Sequence, residues 1–317
     1  MTKRASVARG VGLGWVLLWG FVLLAQASEG AAGWGSPVEA GKLPKGVREA
    51  SGLAVSRREA GVYWTHNDSG GAPVLQAVAA DGEALGTVWI EGVKNVDWED
   101  MASFTLEGRA WLLVADAGDN QSARNDCVLH VIAEPEPAAR RAAAERDVPL
   151  VARVAWSIPV VYPDGPHDCE AVAVDAAEGR IYLLTKRITP HGLYALPLRP
   201  GADKAPVAER VGDVASFPGA EGPEQLLPTP IGKYRGQPTG MDFASDGTAA
   251  VVVTYGEPFV YPKAQDETWA QALARPGQRL APHGLTQAEA VCFGGADGRE
   301  VVVTSEGKRA PLLRYTR

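Results

Sequence analysis

A short sequence motif recurs five times along the chain and limits the folds that it can adopt. Each copy begins with a polar residue, is polar or hydroxylated again two positions later and then becomes apolar. The copies are Glu49-Ala-Ser-Gly-Leu-Ala-Val, Asp97-Trp-Glu-Asp-Met-Ala-Ser, Asp168-Cys-Glu-Ala-Val-Ala-Val, Gln237-Pro-Thr-Gly-Met-Asp-Phe and Gln287-Ala-Glu-Ala-Val-Cys-Phe. A period of two with small side chains alongside predicts an inner strand that is crowded near an axis.

The spacing of these copies predicts a β-propeller. They begin at residues 49, 97, 168, 237 and 287, and a turn and a second apolar strand follow most of them. Repeats of roughly 40–50 residues with four strands each are typical of propeller blades. We therefore predict an all-β fold with four-stranded blades, five favoured, or six if the longer intervals contain a degenerate unit. Residues 36–43 are expected to supply the outer strand of the last blade and close the ring.

Two insertions interrupt the strand pattern. Residues 138–146 are rich in alanine and arginine, and residues 268–274 have Asp266 or Thr268 as a candidate cap and Pro276 as a stop. Both are predicted to be short helices on the surface.

The first residues indicate export. Lys3, Arg4 and Arg9 precede an apolar run from 11 to 25, and small residues follow it up to Ala27. This is the pattern of a secretory signal peptide, and the run is short and glycine-rich for a membrane anchor. We predict cleavage after residue 27, which leaves residues 28–317 as one propeller domain, without a membrane span, in the periplasm or outside the cell.

Charge and cysteine content exclude several classes of function. The formal net charge is -7 and becomes more negative when the basic signal peptide is removed, so nucleic acid is not an expected partner. Cys127, Cys169 and Cys292 allow at most one internal disulfide and have no zinc-site spacing. We expect Cys169 and Cys292 to be buried thiols, and the protein to be a monomer that binds a small molecule or another protein.

The repeat also predicts where a functional site lies. In an up-and-down blade, the start of the first strand and the end of the second strand lie at one edge of the sheet. Polar residues at these positions therefore converge on one face. Two carboxylates about 5 Å apart at an effective dielectric near 20 repel by roughly 3 kcal/mol, so a cluster needs a cation, a basic partner or raised pKa values.

Calcium is the expected cation, because it is a hard ion that takes six to eight oxygen ligands. The predicted metal ligands are Glu49, Asp97, Glu99, Asp168, Glu170 and Glu289. Further residues predicted to bind a ligand at this face are Asn67, Asp68, Asp116, Asp119, Asn120, Lys186, Arg187 and Lys308. An acid at a strand start also commonly accepts backbone amide bonds or pairs with a basic residue, and that interpretation stays open for each of them.

His66 and His167 lie at the same predicted face and are candidate general bases. The alternative is that each histidine only forms a hydrogen bond with a loop. Lys186 and Arg187 are suited to an anionic group such as phosphate, or else to neutralising the neighbouring acids. The chain contains no Gly-x-Ser-x-Gly elbow, no phosphate-binding loop and no His-Glu-x-x-His motif.

Several of these segments together resemble a family of exported bacterial WD40-like propellers of unassigned function. They are Glu49-Ala-Ser-Gly-Leu-Ala, Thr65-His-Asn-Asp, Asn95-Val-Asp-Trp-Glu-Asp, Ala115-Asp-Ala-Gly-Asp-Asn, Pro163-Asp-Gly-Pro-His-Asp-Cys-Glu-Ala and Thr304-Ser-Glu-Gly. The resemblance implies the propeller fold and export. More distantly similar phytase-related esterase-like and lactonase-like propellers place calcium at the axial mouth, but their ligand patterns do not match this sequence residue for residue.

Three functions remain open from the sequence. The leading one is an exported propeller that binds a ligand or partner at an acidic axial face organised by calcium. The second is a metal-dependent hydrolase of phosphate esters, lactones or other esters, in which the ion polarises the reacting oxygen and a histidine moves the proton. The third is a non-catalytic structural module whose acids hold neighbouring blades together.

Overall fold

The structure is a computed structural model that describes residues 33–201, 205–295 and 297–317. The predicted signal peptide, residues 1–27, lies outside these ranges. None of the helices within them has the length and apolar character that a membrane span needs.

Strands dominate the described part of the chain, so the fold is all-β, as the repeat predicts. In chain order the strands are β1 Val38–Lys42, β2 Ala50–Val55, β3 Val62–Asn67, β4 Val74–Ala79, β5 Ala84–Glu91, β6 Trp98–Leu106, β7 Arg109–Asp116, β8 Val128–Ala133, β9 Leu150–Pro159, β10 Cys169–Asp175, β11 Arg180–Thr185, β12 His191–Pro197, β13 Glu209–Val214, β14 Pro238–Phe243, β15 Ala249–Thr254, β16 Pro258–Pro262, β17 Gln278–Arg279, β18 Ala288–Phe293, β19 Glu300–Ser305 and β20 Pro311–Thr316. The helices are α1 Pro137–Ala144, α2 Ile231–Tyr234 and α3 Trp269–Ala274, with a short 3-10 helix at Gly222–Leu226.

The strands form four-stranded antiparallel units. Strands β10 to β13 form one sheet and β14 to β17 another, while β18, β19 and β20 are joined by β1 as the outer strand. The remaining eight strands form a single sheet, in which β2 to β5 and β6 to β9 are joined by parallel pairing of β5 with β9. The pairing of β1 with β20 is the one predicted for residues 36–43, and the whole arrangement is consistent with a β-propeller.

The five motif copies give the first strand of each unit, and these strands pack side by side in a closed circle. Strand β2 packs against β6, β6 against β10, β10 against β14, β14 against β18, and β18 against β2. Small residues are needed where neighbouring first strands approach each other closely. A side chain on Gly52 would meet the His66 Nε2 atom at 2.5 Å and Met101 at 3.0 Å.

Apolar layers between neighbouring sheets form the core. Helix α3 belongs to one of these layers, because Trp269 is fully buried and stacks on Phe243 with ring centroids 3.7 Å apart. The Trp269 indole N–H donates to Asp175 Oδ2 at 2.8 Å. The prediction of a helix here is confirmed, but the helix is not only a surface element, because Trp269, Ala272 and Leu273 are buried. Cys127, Cys169 and Cys292 are all buried free thiols.

Asp100 links three of the first strands at the centre of the circle. Its carboxylate accepts backbone N–H groups from Met101 in its own strand at 2.8 Å, from Val172 in β10 at 2.8 Å and from Met241 in β14 at 3.0 Å. Burial raises the pKa of the Asp100 carboxyl well above its usual value, although these three amides oppose the shift. Asp242 makes a similar link, accepting the Phe293 amide of β18 at 2.9 Å.

We expect Asp100→Ala to lower the free energy of unfolding by about 3 kcal/mol, because the Val172 and Met241 amides lose their buried acceptor. Asp100→Asn should cost less, since it keeps one acceptor oxygen. Asp213→Ala is the control, because Asp213 pairs only with Arg210 on the exposed strand β13, and it should stay within about 0.5 kcal/mol of wild type. Urea unfolding measures all three, and equal losses for Asp100→Ala and Asp213→Ala would contradict the assigned role of Asp100.

Candidate functional site

Acidic side chains from three neighbouring units meet at the entrance to the circle of first strands. Two groups of three residues have carboxylate oxygens within 4.8 Å of one another: a first acidic group of Asp68, Asp97 and Glu99, and a second acidic group of Glu99, Asp168 and Glu170. We call these five residues together the acidic mouth. Glu99 belongs to both groups, so the two candidate metal positions are adjacent.

Each first strand has a pairing irregularity at the third position of the motif. The register shifts between Trp98 and Met101 in β6, between Cys169 and Ala171 in β10, and at the equivalent places in β2, β14 and β18. A β-bulge re-aims a side chain and bends its strand. The bulged residues are Ser51, Glu99 with Asp100, Glu170, Thr239 and Glu289.

The bulged side chains interact across neighbouring strands. Ser51 Oγ donates to Glu99 Oε2 at 3.1 Å, and the carboxylates of Glu99 and Glu170 belong to one acidic group. The loop after β7 closes against them, since a side chain on Gly118 would lie 2.4 Å from Glu99 Oε1 and 2.6 Å from Asp97 Oδ2. Equivalent residues of the repeated motif therefore lie around one entrance.

Crowding and burial raise the pKa values of the acidic mouth. The pKa of Asp68 is raised to about 7 by burial and by the neighbouring Asp97. Burial and the charge of Glu170 raise the pKa of Glu99 well above its usual value. Burial also raises the pKa of Asp97, against the opposing charge of Arg124. Without a bound cation, part of this cluster therefore holds protons near neutral pH.

Basic side chains form hydrogen-bonded ion pairs with the second acidic group. The buried Lys186 ammonium donates to Glu170 and, at 3.0 Å, to the Tyr255 hydroxyl, which donates in turn to Glu289 at 2.8 Å. Arg187 Nε donates to Asp168 Oδ2 at 2.7 Å. Burial opposes the charge on Lys186, but the charge of Glu170 outweighs it and the pKa of Lys186 is raised.

The first acidic group has no such partner. Within the described ranges, Asp68, Asp97 and Glu99 form no ion pair with any Lys, Arg or His. Arg124 lies in the loop after β7, and it pairs with Asp116 at 2.8 Å and Asp126 at 3.0 Å rather than with the first acidic group. A cation that binds at the first acidic group would therefore not have to displace a basic side chain.

Four of the six predicted metal ligands lie in these groups: Asp97, Glu99, Asp168 and Glu170. The other two do not. Glu49 is exposed, and Glu289 is hydrogen-bonded to Tyr255. Asp68, predicted as a ligand-binding residue, joins the first group in their place.

Several predicted ligand-binding residues hold the backbone around the mouth. Asn67 Oδ1 accepts the Arg48 amide at 2.8 Å and the Glu49 amide at 3.1 Å. Asp119 accepts the amides of Ala123 at 2.9 Å and Arg124 at 2.8 Å, as a loop cap does.

The remaining predicted residues are divided between structural contacts and solvent. Asp116 accepts the amides of Val96 at 3.1 Å and Asp97 at 3.2 Å besides pairing with Arg124. Asn120 accepts a hydrogen bond from Arg187. Lys308 is exposed. These contacts agree with the amide-accepting interpretation that the sequence left open for single acids.

The two histidines lie apart from the acidic groups. His66 is fully buried, its ring edge packs on Trp98 at 5.4 Å, and burial lowers its pKa to about 4. His167 lies 3.0 Å from Asp164 Oδ1 and 3.1 Å from the Tyr194 hydroxyl through Nε2. Neither belongs to the acidic groups, so their predicted role as general bases stays a prediction.

Tyr255 was missed by the sequence reasoning, although a signal exists. Second strands commonly have a threonine at or near their end, at Thr65, Thr185, Thr254 and Thr304, and the following residue lies toward the mouth end of the unit. Lys186 follows Thr185, and Tyr255 follows Thr254 in the same way. Aligning the second strands would have placed Tyr255 beside Lys186.

Comparisons with known proteins add little beyond the fold. No protein-family model matches the chain, and no curated protein matches it. Among solved structures it is similar to a luciferin-regenerating enzyme, at 12% identity and a TM-score of 0.45, with 89% of this chain and 96% of that chain covered. It is also similar to a Xanthomonas campestris gluconolactonase, at 13% identity and a TM-score of 0.42, with 90% and 96% covered.

A third similar structure is hydrazine synthase of Kuenenia stuttgartiensis, at 13% identity and a TM-score of 0.39, with 82% of this chain covered. The present chain spans 56% of the length of that chain. Likenesses at these scores carry no argument about function, which therefore has to come from the site itself.

The raised pKa of Asp68 predicts how stability depends on pH in the absence of metal. Between pH 3.8 and about 7 the folded state keeps a proton that the unfolded state releases, so this group's effect on stability becomes less favourable as pH rises. We expect the free energy of unfolding of Asp68→Asn to match that of wild type near pH 3.8. Above about pH 7 it should exceed the wild-type value by ~1 kcal/mol, because solvent screens part of the effect.

Urea unfolding in chelator at both ends of this range tests that expectation. Asp213→Asn, on the exposed outer strand, is the matched control and should show no such change. A difference between Asp68→Asn and wild type that is the same at both pH values would contradict the assignment.

Proposed function

We propose that this chain is an exported, monomeric, five-bladed β-propeller whose acidic mouth holds a divalent cation and uses it to bind a small molecule or a protein. The observation that carries the proposal is the first acidic group, three carboxylates within 4.8 Å of one another that form no ion pair within the described ranges. Five blades are supported by the five first strands that pack in a closed circle. Export is supported by the basic and apolar pattern of residues 1–27.

The two acidic groups are not equivalent as cation sites. In the second group, Lys186 donates to Glu170 and Arg187 donates to Asp168, so both carboxylates already have a positive partner. In the first group, no ion pair offsets repulsion and burial within the described ranges, and the pKa of Asp68 is raised to about 7. A cation would therefore gain the most at Asp68, Asp97 and Glu99.

The donor set favours calcium. Both acidic groups consist of carboxylates alone, and no His or Cys belongs to either. A hard ion such as calcium prefers oxygen ligands, whereas zinc and copper sites draw on nitrogen and sulfur. Water and the ligand itself would complete the coordination. When bound, the ion would supply positive charge that attracts and orients an oxygen-bearing ligand.

A metal-dependent hydrolase of phosphate esters or lactones is the second candidate, and one observation favours it. The pKa of Asp68, raised to about 7, suits a group that accepts a proton near neutral pH. In such a reaction Asp97 and Glu99 would hold the ion, while Asp68 would not ligate it and would take a proton from the attacking water. Lys186 and Arg187 would lie beside the developing negative charge. This candidate assigns the proton transfer to Asp68 rather than to His66 or His167.

The structural-module alternative is supported for other acids. Asp100 and Asp242 accept amides from neighbouring first strands, and Asp168 accepts the Asp119 amide at 2.9 Å. Within the described ranges, the side-chain carboxylates of Asp97 and Glu99 accept no backbone amide. Stapling of blades therefore accounts for part of the acidic set and leaves the first acidic group for another role.

We expect one calcium ion to bind per chain and to raise the melting temperature relative to chelator, because the ion binds only the folded site. Asp97→Asn should weaken calcium binding about tenfold or more, since it removes one charged ligand. Asp213→Asn makes the same change of charge away from the site and should bind as wild type does. Calorimetric titration and thermal unfolding measure both effects, and an unchanged melting temperature with no bound metal would exclude the proposal.

A substrate screen separates binding from catalysis. If the protein is a hydrolase, calcium-loaded protein should turn over a phosphate ester, a lactone or an aryl ester. Asp68→Asn should then lower kcat by about a hundredfold or more while calcium binding is retained more fully than in Asp97→Asn. Calcium binding without turnover of any substrate class would leave the binding function and exclude the hydrolase for these classes.

A further inference from the structure

A large cavity in the described part of the chain lies at the opposite end of the molecule from the acidic mouth. It has a volume of about 860 Å³ and is lined by the ends of first strands and by the turns that follow them. We call it the lower cavity. Its volume is in the range of small-molecule sites. It shares no residue with either acidic group, so the proposed function does not explain it.

Arg57 is the residue that gives the lower cavity a chemical character. Its Nε donates to Ser103 Oγ at 3.0 Å, and its Nη2 donates to the Ser103 carbonyl at 2.9 Å. The backbone N–H of Arg57 donates to Glu134 Oε2 at 2.9 Å. The guanidinium is therefore held in one place before any ligand arrives.

In the described part of the chain, only some of the N–H donors of the Arg57 guanidinium form hydrogen bonds. Within the described ranges Arg57 forms no ion pair, and no hydrogen bond of its Nη1 group occurs there. The charge of Arg57 opposes the rise in the pKa of the buried Asp242 carboxyl, so it lies near the centre of the circle of first strands. A half-buried cation with unused donors at the end of a cavity is suited to a carboxylate, sulfonate or phosphate group.

The walls of the lower cavity supply apolar contact for the rest of such a ligand. Leu106 and Val174, at the ends of β6 and β10, are partly exposed and line the cavity. Lys263 lies at the same side, with its ammonium 5.0 Å from the centre of the Trp269 ring. Apolar walls next to a fixed guanidinium favour an apolar body with one anionic end.

Three of the four acids that line the lower cavity are occupied by its own walls, and the fourth, Glu107, is exposed. Asp175 accepts the Trp269 indole N–H at 2.8 Å, Glu178 accepts the Tyr182 hydroxyl at 2.6 Å, and Asp246 accepts the Thr248 hydroxyl at 2.6 Å. Their charges still disfavour a multiply charged anion. The lining therefore suits a ligand with a single negative charge.

From this arrangement we infer that the lower cavity is a second binding site, for a small organic monoanion whose charged end is bound by Arg57 and whose apolar body lies against Leu106 and Val174. The site is separate from the acidic mouth and does not depend on a metal ion. Ligands could thus be bound at both ends of the same axis.

Anilinonaphthalene sulfonate is a suitable probe, because it joins an aromatic body to one anionic group and fluoresces when bound. We expect saturable binding to the mature chain in chelator. Arg57→Met should weaken that binding about tenfold, and Arg57→Lys should weaken it less because it keeps the charge but not the planar donors. The uncharged probe phenylnaphthylamine should bind to wild type about tenfold more weakly than the sulfonate does.

Two variants make the test specific. Arg153→Met removes an arginine that is exposed on β9 and pairs only with Glu91, and it should leave binding of the probe unchanged. Lys263→Met keeps the test informative if the Arg57 variants fail to fold, and it should weaken binding about threefold. Absence of saturable binding, or equal affinities of wild type, Arg57→Met and Lys263→Met, would overturn the inference.

Discussion

The packing of five first strands around one axis is the constraint on which the rest of this structure depends. Strands that approach so closely leave room for few large side chains, which is why glycine and alanine recur beside the motif. The same crowding forces a β-bulge at the third motif position in every copy. A bulge redirects its side chain, so the geometry of the ring brings polar groups from different units into contact.

Burial then divides these carboxylates into two kinds. Asp100 and Asp242 accept backbone amides from neighbouring first strands and so contribute to the assembly of the sheets. Asp97 and Glu99 face other carboxylates and receive no comparable support. A buried charge without a partner is costly, and proteins tolerate it where a ligand or cation supplies the missing interaction. Structural and functional carboxylates therefore differ here in whether they accept backbone amides, and not in the number of acids.

The two ends of the axis differ in chemistry for the same structural reason. At one end, first strands begin and second strands end, and the residues there are acidic or, at Lys186 and Arg187, basic partners of acids. At the other end, the tight turns leave a wider cavity in which Arg57 lies near the axis beside apolar walls. One fold thus presents a site suited to cations and a site suited to an anion, separated by the linked centre at Asp100.

The sequence by itself determined the all-β class, the five strand starts, the pairing of the N-terminal strand with the last sheet and the convergence of Asp97, Glu99, Asp168 and Glu170. These follow from a local period of two and from the connectivity of repeated units, which any chain with this pattern shares. Only the tertiary structure decided which acids are neutralised, because Lys186 meets Glu170 and Tyr255 across separate strands. It also buried His66 and excluded Glu49 from the acidic groups. Such contacts depend on strand twist, bulges and loop paths, none of which the spacing of residues along the chain specifies.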